Sequence, residues 1–396
     1  MSQTKAQLVS GTTAQDLTVD NINTTSINSG QVSGRKNLII NGDMQVAQRG
    51  TSSGSSGYKT VDRFQFQGAG LNASVTTEQA NVASGTTPYT LGFRKSYKIT
   101  NGAQTGPDAS DKIEFITKIE AGEIAKSGWN YKSASSDITL SFWVKSSVAQ
   151  NFFGYIITLD GTSQNFPFET GSLTADTWTK ITKTIPGNSN LDFDSDATGG
   201  INEGLRIVFQ PFMGTSNTGS VSLNAWAAFN SSVRTPNQTS TWFTTNGATW
   251  EFTGVQLEVG STATDFEHRS FAEELKLCQR YFQSISRSSS TNSVDGTFAA
   301  GTCNNNAGNG GILQTMVRFQ TTMRAAPTMT DSGTFSFHVS GVNVADTSTV
   351  YNKAFVDGVK ITATQTAFVV TSGFCGELTS KYSDTSTATI NADAEL

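Results

Sequence analysis

The sequence predicts an all-β protein: a jelly-roll-like antiparallel sandwich, a short connector helix, a second and smaller β-sandwich, and an extended N-terminal docking segment. Three observations predict it. Of 396 residues only 36% are hydrophobic and 15% charged, while Gly numbers 37 and Ser, Thr and Asn crowd every segment. β-Branched Thr suits strands, and Gly and Asn tolerate the positive φ that tight turns need. Apolar and polar residues alternate at period two in several short runs, and only one stretch carries both a helix start signal and helical spacing. The length suggests two or three domains.

Residues 1–36 hold few apolar side chains, chiefly Leu8, Val9, Leu17, Val19 and Ile22, spaced irregularly among Asp, Asn, Thr and Ser. A single chain of this kind cannot bury a core, so it docks on another protein, winds with identical copies, or stays disordered; docking combined with self-association is favoured. Residues 37–268 then read as short strands punctuated by Gly, Asn, Asp and Ser. Ile138, Leu140, Phe142 and Val144 alternate with Thr139, Ser141, Trp143 and Lys145, which puts the apolar set on one face. Leu205 to Phe209 and Val255 to Val259 repeat the pattern.

A connector helix and linker occupy 269–291. Ser270 and Glu273 have capping-box spacing, and Phe271, Leu275, Cys278 and Phe282 trace one apolar stripe. That stripe packs on a neighbouring domain or on the axis of a trimer; three turns do not separate the two. Residues 292–396 return to strand-like runs, Met316 to Phe319, Phe335 to Val339 and Ala367 to Val370, hence a second sandwich.

The formal net charge of −5 offers no basic stripe for phosphates, so nucleic acid is not an expected partner. No stretch has the length and apolarity of a membrane-spanning helix, and the first residues lack a signal-peptide h-region. Cys278, Cys303 and Cys375 make no metal-spaced cluster and read as structural thiols. His268 and His338 fall in different predicted domains, which argues against a Ser-His-Asp triad. Gly50 to Gly54 fits G-x-S-x-G without the strand and helix of a nucleophile elbow. Gly68-Ala69-Gly70 lacks a surrounding βαβ unit and reads as a turn.

Asp192, Asp194 and Asp196, with Glu203 at the twelfth position, supply the alternating oxygens and late carboxylate of a calcium loop. Ala197 stands where the sharp turn usually requires Gly, and strands rather than helices flank the loop. The other reading is a solvated acidic loop with no cofactor.

Several strings resemble bacteriophage tail-fibre and fibre-like virion proteins, particularly of marine phages. They include Asn37-Leu38-Ile39-Ile40-Asn41-Gly42-Asp43-Met44, then Tyr58-Lys59-Thr60-Val61-Asp62-Arg63-Phe64. Later come Phe252-Thr253-Gly254-Val255-Gln256-Leu257-Glu258-Val259-Gly260, Asp265-Phe266-Glu267-His268-Arg269-Ser270, Cys278-Gln279-Arg280-Tyr281-Phe282 and Ala392-Asp393-Ala394-Glu395-Leu396. The resemblance implies a carbohydrate-binding-module-like sandwich, a connector helix and a β-rich tip, usually in a homotrimer. It also implies attachment of residues 1–36 to a phage tail or adaptor protein.

The expectation is therefore a non-enzymatic tail fibre, without membrane insertion, that binds a bacterial surface glycan or outer-membrane receptor multivalently. Assembly in the host cytoplasm and release by lysis would place it on the virion. The alternatives are a capsid-decoration or collar fibre, and a surface-polysaccharide depolymerase. Sugar recognition needs flat aromatic faces beside polar groups, and Trp143, Trp226 and Trp242 are the candidates. Each has the alternative of packing in a sheet core.

Overall fold

The computed structural model describes residues 26–27, 30–31, 36–194, 200–288, 296–305, 311–339, 342–344, 348–365, 373, 375–380 and 387–396. Leu8, Val9, Leu17, Val19, Ile22, Asp196 and the run Ala367 to Val370 lie outside the described residues.

A two-residue hairpin, β1 (Ser26–Ile27) and β2 (Gly30–Gln31), precedes the first sandwich. That sandwich is built from β3 (Ser52–Ser53), β4 (Phe64–Ala69), β5 (Thr76–Asn81), β6 (Lys95–Thr100), β7 (Lys112–Glu120) and β8 (Asp137–Ser146). It continues through β9 (Asn151–Thr158), β10 (Gln164–Ser172), β11 (Thr179–Pro186), β12 (Glu203–Met213), β13 (Ala227–Ala228) and β14 (Thr249–Val259). Two six-stranded antiparallel sheets result, ordered β13-β10-β9-β12-β7-β4 and β11-β8-β14-β6-β5-β3.

The period-two pattern is what packs them. Ile138, Leu140, Phe142 and Val144 of β8 are at most 1% exposed, while Trp143 and Lys145 between them point away from the core. Leu205, Ile207 and Phe209 of β12 face them from the other sheet, and Phe142 meets Phe209 with ring centroids 4.9 Å apart. Phe115 stacks on Trp250 at 5.7 Å and touches Tyr97 and Phe252 edge-on. Large apolar side chains contribute about 1.5–3 kcal/mol each on burial, so this cluster is a substantial part of the sandwich's core.

The helix begins where the sequence places it and spans Phe271–Gln279. Ser270 Oγ accepts from Glu273 N–H at 3.3 Å, and Ser270 N–H donates to Glu273 Oε2 at 2.9 Å, closing the capping box. The expected apolar stripe is only partly correct. Cys278 is buried, but Phe271 is 54% exposed, and Glu274 takes the inward place beside Cys278. The Glu274 carboxylate accepts from the Asn41 backbone N–H and from Arg269, so the helix is fixed to the first sandwich by ionic and polar contacts as much as by apolar ones.

The segment after the helix is not a linker throughout. Phe282–Ser288 is a strand, β15, and begins the second sandwich. The sandwich continues as β16 (Thr297–Asn305), β17 (Gly311–Arg318), β18 (Thr328–Ser332), β19 (Phe335–Val339) and β20 (Val342–Val344). It ends with β21 (Ser348–Phe355), β22 (Gly358–Gln365), β23 (Cys375–Ser380) and β24 (Thr387–Asp393). A three-stranded sheet, β15-β24-β18, faces a seven-stranded one, β20-β19-β23-β16-β17-β22-β21. Ile285, Ile390 and Ala388 from the small sheet bury against Leu313, Ile361 and Leu378 from the large one. All-β, two sandwiches and a connector helix are thus as the sequence predicts.

The two sandwiches meet through a polar joint. Arg280 Nη2 donates to Glu120 Oε2 at 2.7 Å, and Tyr281 Oη donates to Glu120 Oε1 at 2.6 Å. Arg324 Nη1 reaches the Ile201 carbonyl at 2.7 Å, and Arg49 and Arg63 reach across to Glu395.

Candidate functional site

The three tryptophans separate. Trp242 is 0% exposed: a one-turn helix, Thr241–Thr244, swings its indole inward over Phe152, and Nε1 donates to the Thr249 carbonyl at 3.0 Å. It is a core residue and presents no face to a ligand. The Ser/Thr/Asn-rich flanks signalled a loop correctly and said nothing of which way the ring turns. Trp226 is half-buried, its ring 5.2 Å from Phe166 and its Nε1 donating to the Pro186 carbonyl at 2.7 Å. That indole closes the end of the first sandwich, with its one polar atom already bonded.

Trp143 is different. It stands on the outer face of the β11-β8-β14-β6-β5-β3 sheet, paired across the strands with Lys180 and Thr253. It lines a recess of about 230 Å³ with Ser141, Lys180, Thr264 and Asp265 on the polar side, and Leu91, Phe93, Phe266 and His268 on the other.

Local sequence builds this recess. The pairing of β14 with β8 slips between Thr253 and Gln256, and Gly254 sits in the slip at φ +63°. A Cβ there would stand 2.7 Å from the Phe93 ring, so glycine lets Phe93 lie against the backbone as part of the wall. After β14 the chain returns in extended form, and Phe266 and His268, two residues apart, come to one side. Phe93, Phe266 and His268 form a three-ring cluster with centroids 4.9–5.1 Å apart. His268 Nε2 lies 2.9 Å from the Leu91 carbonyl, which fixes the ring at the rim.

Beside Trp143 a ladder of charges crosses the same face. Lys145 Nζ is 2.6 Å from Glu251 Oε1 and 5.1 Å from the Trp178 ring centroid. Ser96 Oγ donates to Glu251 Oε2 at 2.8 Å, and Lys98 pairs with Glu78 at 2.9 Å. The arrangement is an aromatic plate bordered by hydroxyl, ammonium and carboxylate groups, which suits stacking on one face of a sugar ring while its hydroxyls are bonded at the edge. The sequence marked Trp143 by its outward place on β8. Phe93, Phe266, His268 and Lys180 come from distant segments, and only the alternation of Phe266 and His268 and the glycine inside β14 hinted at them.

Of the four candidate calcium ligands, Asp192, Asp194 and Glu203 lie within the described residues and Asp196 does not. Asp192 and Asp194 flank the Lys132 ammonium, each at 3.9 Å. Glu203 is held by the Arg206 guanidinium at 2.6 and 2.9 Å and pairs with Lys118, so the late carboxylate is already committed. Among the described residues no group of three or more His, Cys, Asp or Glu side chains is placed to hold a metal. Cys278 and Cys303 are buried free thiols, and Cys375 is an exposed one.

No protein-family model and no curated protein sequence matches the chain. Among solved structures it is similar to the enzymatically active domain of tailspike protein 4 of bacteriophage CBA120, at 13% identity and TM-score 0.29. That match covers 56% of this chain and 21% of the tailspike chain. It is also similar to a protein described as sugar-binding from Bacteroides thetaiotaomicron, at 12% identity and TM-score 0.31, over 56% and 99% of the two chains. A family 11 carbohydrate-binding module from Clostridium thermocellum, in complex with a mixed-linked tetrasaccharide, matches at 12% identity and TM-score 0.23, over 55% and 98%. Superpositions this loose say nothing about ligands, which have to be argued from the residues of this chain.

Proposed function

We propose that this protein is a non-enzymatic, fibre-like component of a bacteriophage virion that attaches to a bacterial surface by binding glycans through the Trp143 recess. The observation that carries the binding role is the placement of Trp143 itself. A partly exposed tryptophan on the outer face of a sheet, walled by Phe93, Phe266 and His268 and bordered by Lys180, Asp265 and Ser141, puts an aromatic surface beside polar groups at a recess. The virion role rests on the tail-fibre strings in the sequence and on the two-sandwich architecture with its connector helix. In a homotrimer, three shallow sites per fibre reach useful avidity through effective concentration, although each alone is weak.

The test uses the fluorescently labelled full chain on an array of bacterial surface oligosaccharides, beside the Trp143→Ala variant. The expected result is binding by the wild type, loss of about tenfold or more in the variant, and an unchanged melting temperature. A variant that binds as well as the wild type removes the recess from the reading. Reducing ends accumulating from a host polysaccharide would replace the non-enzymatic reading with a depolymerase. Light scattering that gives a monomer mass would remove the avidity argument.

A further inference from the structure

A second, larger opening lies where the two sandwiches join, and the Trp143 recess does not account for it. Its floor is the outer face of the β15-β24-β18 sheet. Cross-strand register sets the side chains in rows: Ser284 opposite Asn391 opposite Thr330, and Ser286 opposite Thr389 opposite Ser332. Alternation makes these two rows hydroxyl and amide, with Phe282, Asp393 and Thr328 forming the next row on the same face, while Ile285, Ala388, Ile390 and Ala392 between them are buried. Tyr58, Lys59 and Arg49 of the first sandwich form the facing wall, and the cleft encloses about 860 Å³.

Chemistry narrows the occupant. The cleft lining carries two cations, Arg49 and Lys59, and two carboxylates, Asp393 and Glu395, so it presents no net charge. Arg49 is already held by Asp62, Asp393 and Glu395 at 3.1–3.7 Å, and its Cζ lies over the Phe282 ring 3.5 Å from the centroid. A polyanion would therefore meet the Lys59 ammonium and two repelling carboxylates. A lipid tail or the apolar face of a partner protein would desolvate the hydroxyl and amide rows, in which Ser286 and Thr389 bond each other at 2.9 Å but have further capacity left unused, at a cost for each unsatisfied group. A neutral chain of linked sugars satisfies them, because each ring brings several groups that both donate and accept.

We propose that this interdomain cleft is a second glycan site, taking a neutral oligosaccharide longer than one ring along the hydroxyl and amide rows of β15, β24 and β18. The two rows are roughly 7 Å apart along the strand, and the Phe282, Asp393 and Thr328 row lengthens the floor to roughly 13 Å, which exceeds the reach of a single plate such as Trp143. Tyr58 lines the wall of the cleft, with its Oη shielded from solvent. The site stands on its own residues and does not require the Trp143 reading to hold.

The experiment probes an array of neutral bacterial and plant oligosaccharides with the full chain in a Trp143→Ala background. Onto that background are placed either Thr330→Ala with Asn391→Ala, which deletes part of one row, or Thr330→Arg, which fills the cleft from an exposed edge position. The expected result is that Trp143→Ala retains binding to at least one neutral oligosaccharide, and that each cleft change lowers it about tenfold or more. Thr330→Arg keeps the test decisive if the double alanine variant fails to fold. No neutral glycan retained by Trp143→Ala, or retained binding indifferent to both cleft changes, overturns the site. Trp143→Ala that loses nothing at all counts against the recess and leaves the cleft standing.

Discussion

Arg63, enclosed in the first sandwich at 2% exposure, donates through Nη1 to the carboxylate of Glu395, which is 332 positions further along the chain and belongs to the second sandwich. The other arm of the same guanidinium, Nη2, donates to the Lys118 carbonyl at 2.7 Å, and its Cζ lies 3.5 Å from the Tyr281 ring centroid. Arg49 adds a second cation 3.3 Å from Glu395. One carboxylate thus answers two buried guanidinium groups at the joint between the sandwiches.

Glu395→Ala is expected to destabilise the protein by about 3–5 kcal/mol, the range for removing one partner of a buried pair and stranding the other. The change falls on the joint, so its signature is a loss of coupling as well as a lower melting temperature. Differential scanning calorimetry should show the sandwiches unfolding together in the wild type and as two separated transitions in the variant. A single transition at the wild-type temperature would mean that Glu120, Arg280 and Arg324 hold the joint without Glu395.

Asp62 gives the same region a pH dependence. Burial pushes its carboxyl up to about 6, against the opposing pull of Arg49 and the Gln48 side-chain amide. With a folded-state value above the unfolded one, Asp62 keeps its proton in the native state between about pH 4 and pH 6 while the unfolded chain has lost it. Its contribution is therefore complete below about pH 4 and is lost as pH rises to 6, by at most about 3 kcal/mol. Asp62→Asn, which keeps shape and neutrality, should flatten the fall of melting temperature across that window. Equal slopes for wild type and variant would show that Asp62 ionises normally in the fold.

Local periodicity made much of this architecture readable. The alternation in β8 fixed which face of that strand is buried, and with it the outward place of Trp143. The Ser270 to Glu273 spacing fixed the start of the helix, because a capping box is a short-range hydrogen-bond pattern written in two residues. What sequence could not supply was anything decided by long-range packing. Phe271 carries the helical spacing of a core residue and is exposed, whereas Glu274 is buried because Arg269 and the Asn41 N–H happen to be there to receive it. The direction in which Trp242 turns depends on Phe152 and Gln150, far earlier in the chain and adjacent only after folding. That Lys132, from another segment, stands beside Asp192 and Asp194 is likewise nothing their spacing could show. Strand β15 was hidden by the Ser-rich composition of a face that looks outward from a three-stranded sheet.

Gly254 tests how far the Trp143 recess depends on its backbone. It occupies the slip between β14 and β8 at φ +63°, and a side chain there meets the Phe93 ring at 2.7 Å. Gly254→Ala combines a left-handed conformation that alanine disfavours with a contact that the ring must relieve by moving, for a cost of roughly 1–3 kcal/mol. Phe93 packs against both Phe266 and His268, so its displacement disturbs the wall opposite Trp143 while leaving Trp143 itself in place. The expected outcome is a modest fall in melting temperature together with weakened glycan binding at the recess. Unaltered binding at the lower melting temperature would show that the Phe93, Phe266 and His268 wall takes no part in recognition and that Trp143 works with Lys180 and Ser141 alone.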